Sequence, residues 1–175
     1  LEKLKRVQDA IIALYFLNKK DNNNYKLSIL GEGVEKDNLA GLVRKLKLNK
    51  SVSFFGHINN KTDLEKIYLK NDILIHTSLS EGTTKVLPEA MSFGLLPIAV
   101  KGVGSNDYIL SDKRGILVNP KSPEEIADEI IKFNNISSDK KKEYIDNGYK
   151  YADEHSLEKE LDKMWEFIFT KVDKA

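Results

Sequence analysis

Short apolar runs alternate with stretches of helical periodicity along nearly the whole 175-residue chain, and few folds accommodate that alternation. Residues 2–18 carry apolar side chains at helical spacing and end in the turn-rich stretch Asn18 to Asn24. Leu27-Ser28-Ile29-Leu30 reads as a strand stopped by Gly31-Glu32-Gly33. Residues 35–47 return to helical spacing through Leu39, Leu42, Val43 and Leu46. Val52-Ser53-Phe54-Phe55 is the next strand, ending at Gly56, and residues 62–70 make a short amphipathic helix. Ile73-Leu74-Ile75-His76 follows, then a helix to about Phe93, the strand Pro97 to Val100, a short helix over 105–111 and the strand Gly115 to Val118. Ser122-Pro123-Glu124-Glu125 has the marks of a helix start: a capping serine, proline at the first helical position and early acids. Helices over 137–153 and 157–171 close the chain.

The expected fold is therefore α/β: a Rossmann-like open parallel sheet of about five to six strands with helices on both faces. In such sheets ligands bind beyond the carboxyl ends of the strands. Gly31, Gly56, Ser78 to Thr84 and Lys101 to Gly104 all follow strands directly and should share that rim. A single domain of this length buries roughly 70% of its unfolded surface. The balance of 28 basic against 27 acidic residues gives no electrostatic case for nucleic acid. Without cysteine there is no disulfide and no thiolate metal site. No apolar run approaches the roughly 20 residues of a membrane span, so a cytoplasmic protein is the default expectation. The chain opens straight on a helix-like pattern (Leu1, Leu4, Val7, Ile11, Leu14), which reads as a fragment of a longer protein.

The chemistry concentrates in Ser80-Glu81-Gly82-Thr83-Thr84-Lys85-Val86-Leu87-Pro88-Glu89. Two carboxylates flank a small turn between a strand and a helix. Carboxylates accept hydroxyl hydrogen bonds, and backbone N–H groups at a helix start hold phosphate, so the segment suits a ligand with both groups. Gly82 permits close backbone approach and a positive φ. Thr83 or Thr84 can cap the helix, which should start at Pro88 or a few residues before it, leaving several N–H groups of Thr83 to Val86 for an anion. Lys85 adds a positive charge. Glu89 in the first turns could accept both hydroxyls of a ribose, and Glu81 at the strand end those of a hexose. The plainer alternative is that Glu81 ends a strand and Glu89 is a solvated helix acid.

These segments together resemble the C-terminal, donor-binding domain of family 4 retaining glycosyltransferases of GT-B type. The resemblance runs through Leu27 to Gly33, Val52-Ser53-Phe54-Phe55-Gly56-His57-Ile58, His76 to Ala99 with its E-G-x6-E-A-M-x-x-G-x-P-x-x-A spacing, and Gly115-Ile116-Leu117-Val118. It implies that Glu89 binds the donor ribose and that Glu81 contacts hydroxyls of the transferred sugar near the reacting carbon. It implies that Thr83 to Val86 contact sugar and diphosphate, and that His57 and Ile58 lie beside the nucleobase. Lys5, in Lys5-Arg6-Val7, aligns with a lysine that pairs with the diphosphate; the family's following glycine is Arg6 here. An ordinary solvated helix lysine is the competing reading. Thr83-Thr84 stands in place of a usual phenylalanine-glycine, and Asp107 stands near a usual glutamate. The resemblance also implies a strand with a phosphate-binding arginine before Lys5, and an acceptor-binding N-terminal domain, ahead of this chain.

The activity so implied is transfer of a sugar from a nucleotide-sugar to a glycan or glycolipid acceptor, with retention and without a metal or other cofactor. The pathway class is polysaccharide biosynthesis, and the whole enzyme could sit at the inner face of the membrane as a peripheral protein. A GT-B nucleotide-sugar epimerase is an alternative, but it needs further acid–base groups, and His57, His76 and His155 are the only histidines. His76 reads as a strand-end residue rather than a base. A non-catalytic nucleotide-binding α/β module is a third reading. In the last helix Leu157, Leu161, Met164, Trp165, Ile168 and Phe169 recur at helical spacing. They serve either core packing or an exposed face, with Trp165 and Phe169 inviting the missing domain or a dimer of the fragment.

Overall fold

The computed structural model describes the backbone of residues 1–21 and 23–172, with side chains as far as Trp165. Five short strands alternate with helices: β1 Leu27–Leu30, β2 Val52–Gly56, β3 Ile73–His76, β4 Leu96–Val100 and β5 Ile116–Val118. The helices are α1 Val7–Lys20, α2 Lys36–Lys45, α3 Lys61–Tyr68, α4 Val86–Ser92, α5 Asn106–Ile109, α6 Pro123–Asn135, α7 Ser138–Glu154 and α8 Leu157–Val172. All pairings are parallel, as βαβ crossovers require. The strands form two ladders, β1-β2 and β3-β4-β5. The edges of β1 and β3 do not pair with each other; residues of both line a cavity of about 760 Å³ together with Leu14 and Leu17 of α1.

Strand β4 shows why the fold takes this form. All five of its residues are buried, because it is the central strand of its ladder and helices cover both faces. Alternation sends Leu96, Ile98 and Val100 to one side, against Ala13 and Leu17 of α1 and Ile126 and Ile130 of α6. Ala99 goes to the other side, against Leu87 and Met91 of α4 and Tyr151 of α7. A strand with two helical layers must be apolar throughout, which accounts for the unbroken run Leu96-Pro97-Ile98-Ala99-Val100. Asn60 caps α3 by accepting from the Thr62 N–H at 2.9 Å, and Pro123 opens α6 as expected. Ser122 stands at the cap position of α6, but its hydroxyl makes no cap bond and donates to the Pro120 carbonyl at 3.3 Å instead.

The first helix departs from the periodicity. One helix over 2–18 was the expectation, but Lys3–Lys5 form a 3-10 turn and α1 begins only at Val7. Arg6 between them lies at φ 48°, ψ 40°, in the left-handed region. Its guanidinium holds the buried Asp9 carboxylate in a two-pronged pair at 2.6 and 2.7 Å. Apolar spacing continues through the break, so periodicity could not reveal it. No described helix is long and apolar enough to cross a membrane.

Candidate functional site

The strand ends on the carboxyl side build a cleft of about 430 Å³. It is lined by Lys5, Gly31, His76, Ser78, Glu81 and the Thr83 to Val86 turn. Two backbone-directed bonds place Lys5 there: the Thr77 hydroxyl donates to the Lys5 carbonyl at 2.8 Å, and the Leu79 N–H donates to the Leu4 carbonyl at 2.9 Å. The left-handed turn at Arg6 then sends the chain away into α1.

Lys5 Nζ donates to Glu81 Oε1 at 2.5 Å, joining residues 76 positions apart. His76 Nε2 lies 3.4 Å from the same oxygen. That nitrogen is the one buried side-chain polar atom without a hydrogen-bond partner among the described residues. Burial pushes the His76 imidazole below its ordinary pKa, with Glu81 pulling upward and Lys5 downward. Burial would raise Glu81, but the hydrogen bond and charge of Lys5, with help from Ser78 and His76, outweigh it and hold the carboxyl below its usual range. At neutral pH both shifts act the same way, favouring an ionised Glu81 and an uncharged His76 ring.

The turn after Glu81 is held from behind. Asn106, fully buried, donates from Nδ2 to the Val100 carbonyl at 2.7 Å and accepts from the Thr84 hydroxyl at 2.8 Å. The Thr84 N–H donates to Ser105 Oγ at 3.1 Å, and the Lys85 N–H to the Thr83 carbonyl at 3.1 Å. These two N–H groups, expected to be available to an anion, are thus engaged within the protein: that of Thr84 because the Gly104 to Asn106 loop packs on the turn, and that of Lys85 because the turn closes on its own Thr83 carbonyl. Helix α4 starts two residues before Pro88, capped by Lys85 without a side-chain bond; neither threonine caps it. Gly82 is not in the left-handed region, and a Cβ there would meet nothing within 4 Å. Gly104 takes that conformation instead, at φ 52°, and a Cβ on it would run into the Gly82 carbonyl.

Of the residues singled out from sequence, the cleft brings together Lys5, Glu81, Thr83, Thr84, Lys85 and Val86. Gly82, Glu89, His57 and Ile58 lie outside its lining. Glu89 is exposed on α4, close enough to Tyr68 that its carboxylate, after burial, pushes that phenol upward. His57 is exposed and Ile58 half-buried on the segment after β2. Asp107 serves locally, accepting from the Gly102 N–H at 2.6 Å. Ser105 and Asn106 were not foreseen; the only trace is a pair of small polar residues following Gly104. His76 was foreseen as a strand end, which it is, but its place beside Glu81 was not.

Residues 1–151 match the family described as glycosyl transferases, group 1. An uncharacterized glycosyltransferase of Methanocaldococcus jannaschii is 31% identical over 98% of this chain, which spans 43% of that relative's length. A second glycosyltransferase of that organism is 36% identical over 61% of the chain, which spans 27% of it. The chain thus corresponds to less than half the length of these relatives. Among solved structures, the C-terminal domain of a group 1 family glycosyl transferase from Francisella tularensis superposes with a TM-score of 0.77 at 28% identity, covering 89% of this chain and 81% of that one. An Anabaena protein solved in complex with UDP has a TM-score of 0.83 at 21% identity, covering 98% of this chain and 46% of that one, a likeness of fold.

Proposed function

The chain belongs to the group 1 glycosyl transferases, and on that premise we propose that it is the donor-binding domain of a retaining enzyme that takes a sugar from a nucleotide-sugar. The observation that carries this reading is the cleft at the strand ends, where a lysine, a carboxylate and the turn before α4 converge. A lysine attracts a diphosphate, a carboxylate accepts sugar hydroxyls, and both are needed only for a ligand that has both parts. That the Anabaena structural neighbour was solved with UDP makes a uridine nucleotide the first donor to try.

In this reading Lys5 and Lys85 offset the charge of the leaving diphosphate, which is electrostatic stabilisation without a metal. Glu81 orients the transferred sugar through its hydroxyls and is not a covalent nucleophile. The leaving phosphate oxygen takes the acceptor's proton on the same face, which retains the anomeric configuration. Glu89 holds the ribose, with Gly82 leaving room for the ligand and His57 and Ile58 flanking the base. The acceptor, a glycan or glycolipid, is presented by a second domain, so the 175-residue chain alone binds donor without transferring it.

Calorimetry with UDP, GDP and ADP tests the reading. Glu89→Ala should weaken the preferred nucleotide roughly tenfold, as loss of hydrogen bonds to a charged group does. Glu158→Ala on α8 should not; equal effects of the two would remove Glu89 from the site.

A further inference from the structure

We propose that Glu81 exchanges partners when the cleft fills: Lys5 leaves it for the anionic part of the ligand, and His76 takes over the carboxylate as its positioning hydrogen-bond donor. The inference rests on the donor-site reading above and adds to it a residue and a sequence of events.

Three observations combine. First, Lys5 and Glu81 neutralise each other at 2.5 Å in the empty cleft. An ammonium donating to that carboxylate has one of its three N–H groups and much of its charge committed away from a diphosphate, and the carboxylate has acceptor capacity taken from sugar hydroxyls. Parting the pair frees both groups for a ligand. Second, the pair is unequal in mobility: the Lys5 side chain is 45% exposed, whereas Glu81 is 18% exposed and sits on a turn packed against Gly104. Lysine, on its flexible stem, is the partner that moves. A partly exposed lysine–carboxylate pair is a weak interaction, so an anion of two or more charges can displace Glu81 from Lys5. Third, the departure of Lys5 would leave Glu81 one hydrogen-bond donor fewer, with Ser78 still beside it, and a further donor at hand makes up the loss. His76 Nε2 is that donor. It is 3.4 Å away, buried and without any hydrogen bond, so a small shift completes a bond that the empty site leaves open. A buried polar atom without a partner is a rare expense in a folded protein, and it is explained here by service in the other state of the site.

The consequence is ordered assembly. Glu81 becomes oriented for sugar hydroxyls only once the anion has drawn Lys5 away, so the sugar contacts form on a charged donor and not on a free sugar. His76 acts through Glu81 and touches no reacting atom.

The test uses the 175-residue protein with whichever of UDP, GDP or ADP binds tightest, and with inorganic pyrophosphate as the bare anion. Glu81→Gln frees Lys5 in advance and should tighten nucleotide and pyrophosphate binding roughly threefold. In a Lys5→Met background the same change should give less than half that gain, since only general charge repulsion is then relieved. On saturation with nucleotide, NMR of the wild-type histidine side chains should show a new, slowly exchanging His76 Nε2 proton, absent in Glu81→Ala and assigned by its loss in His76→Gln. Equal gains in both lysine backgrounds, or an unchanged His76 signal at saturation, would overturn the exchange while leaving nucleotide binding and its dependence on Glu89 intact. Absence of any nucleotide binding by the wild-type chain would overturn the donor-site reading, and the exchange with it.

Discussion

Arg6 shows how much one residue can do that spacing along the chain does not reveal. It occupies a left-handed conformation that costs a non-glycine residue about 1 kcal/mol, and it offsets that cost by pairing with buried Asp9. Arg6→Gly relieves the strain but leaves Asp9 as a buried, uncompensated charge. The net loss in unfolding free energy should be about 2 kcal/mol, measured by urea denaturation. Asn106 is a second case. Asn106→Ala leaves the Val100 carbonyl and the Thr84 hydroxyl unsatisfied in the interior, which should cost about 2–3 kcal/mol and loosen the turn that carries Glu81. His76 predicts a pH dependence. Its folded pKa lies below the unfolded value because burial disfavours the cation, so its stabilising contribution is complete above pH about 6.5. Between that pH and the folded pKa the unfolded chain binds the extra proton, and stability falls. Lys5 and Glu81 are the charged groups facing the ring. Thermal melts should show the decline on going from pH 7 to 5.5 in the wild type and a smaller one in His76→Gln.

Among the elements, strands were the most legible and the ends of helices the least. β4 was expected from Pro97 and begins at Leu96; β5 was expected from Gly115 and begins at Ile116. Apolar runs buried on two faces leave little freedom of register, because each residue has a helix to meet. The start of α4 was bracketed by the chemistry of Pro88, yet the bonds holding the preceding turn come from Ser105 and Asn106, which no local pattern connects to Thr84. Gly104 ties these elements together. Gly104→Ala would strain a left-handed residue and push against the Gly82 carbonyl. It should therefore destabilise the fold by more than about 1 kcal/mol and weaken nucleotide binding, both readable in one thermal-shift titration. Ladder position gives a further expectation. Hydrogen exchange should be slowest in β4, paired on both sides, and faster in β1 and β3, each with an unpaired edge.

At the scale of the whole molecule, the two helical layers around β4 and the rim above the strands follow from the βαβ alternation. The division of the strands into two ladders and the 760 Å³ cavity between them do not. Nor does the fate of the last helix. Leu157, Leu161, Met164 and Trp165 keep helical spacing but are 78, 43, 46 and 51% exposed, so they do not build the core. The expectation for Ile168 and Phe169 falls outside the described side chains. Leu157→Ser with Leu161→Ser should change stability by less than about 1 kcal/mol, since surface substitutions rarely do more. Periodicity could not separate an exposed apolar face from a buried one, because both present the same stripe to the sequence.

What this sequence determined by itself was the class of fold and the rim on which a ligand would sit, and it put forward Glu81, Gly82, Thr83, Thr84, Lys85, Val86 and Glu89 as candidates. Those follow from local physics: periods of two and near four, glycines after strands, carboxylates flanking a turn. Lys5, His57 and Ile58 came only from the resemblance to a family. What only the tertiary structure decided was that Lys5 meets Glu81, that His76 waits beside them without a partner, and that Asn106 holds the turn from behind. The reason is distance along the chain. A contact between residues 76 positions apart depends on how several strands and helices pack at once, and no local pattern records it.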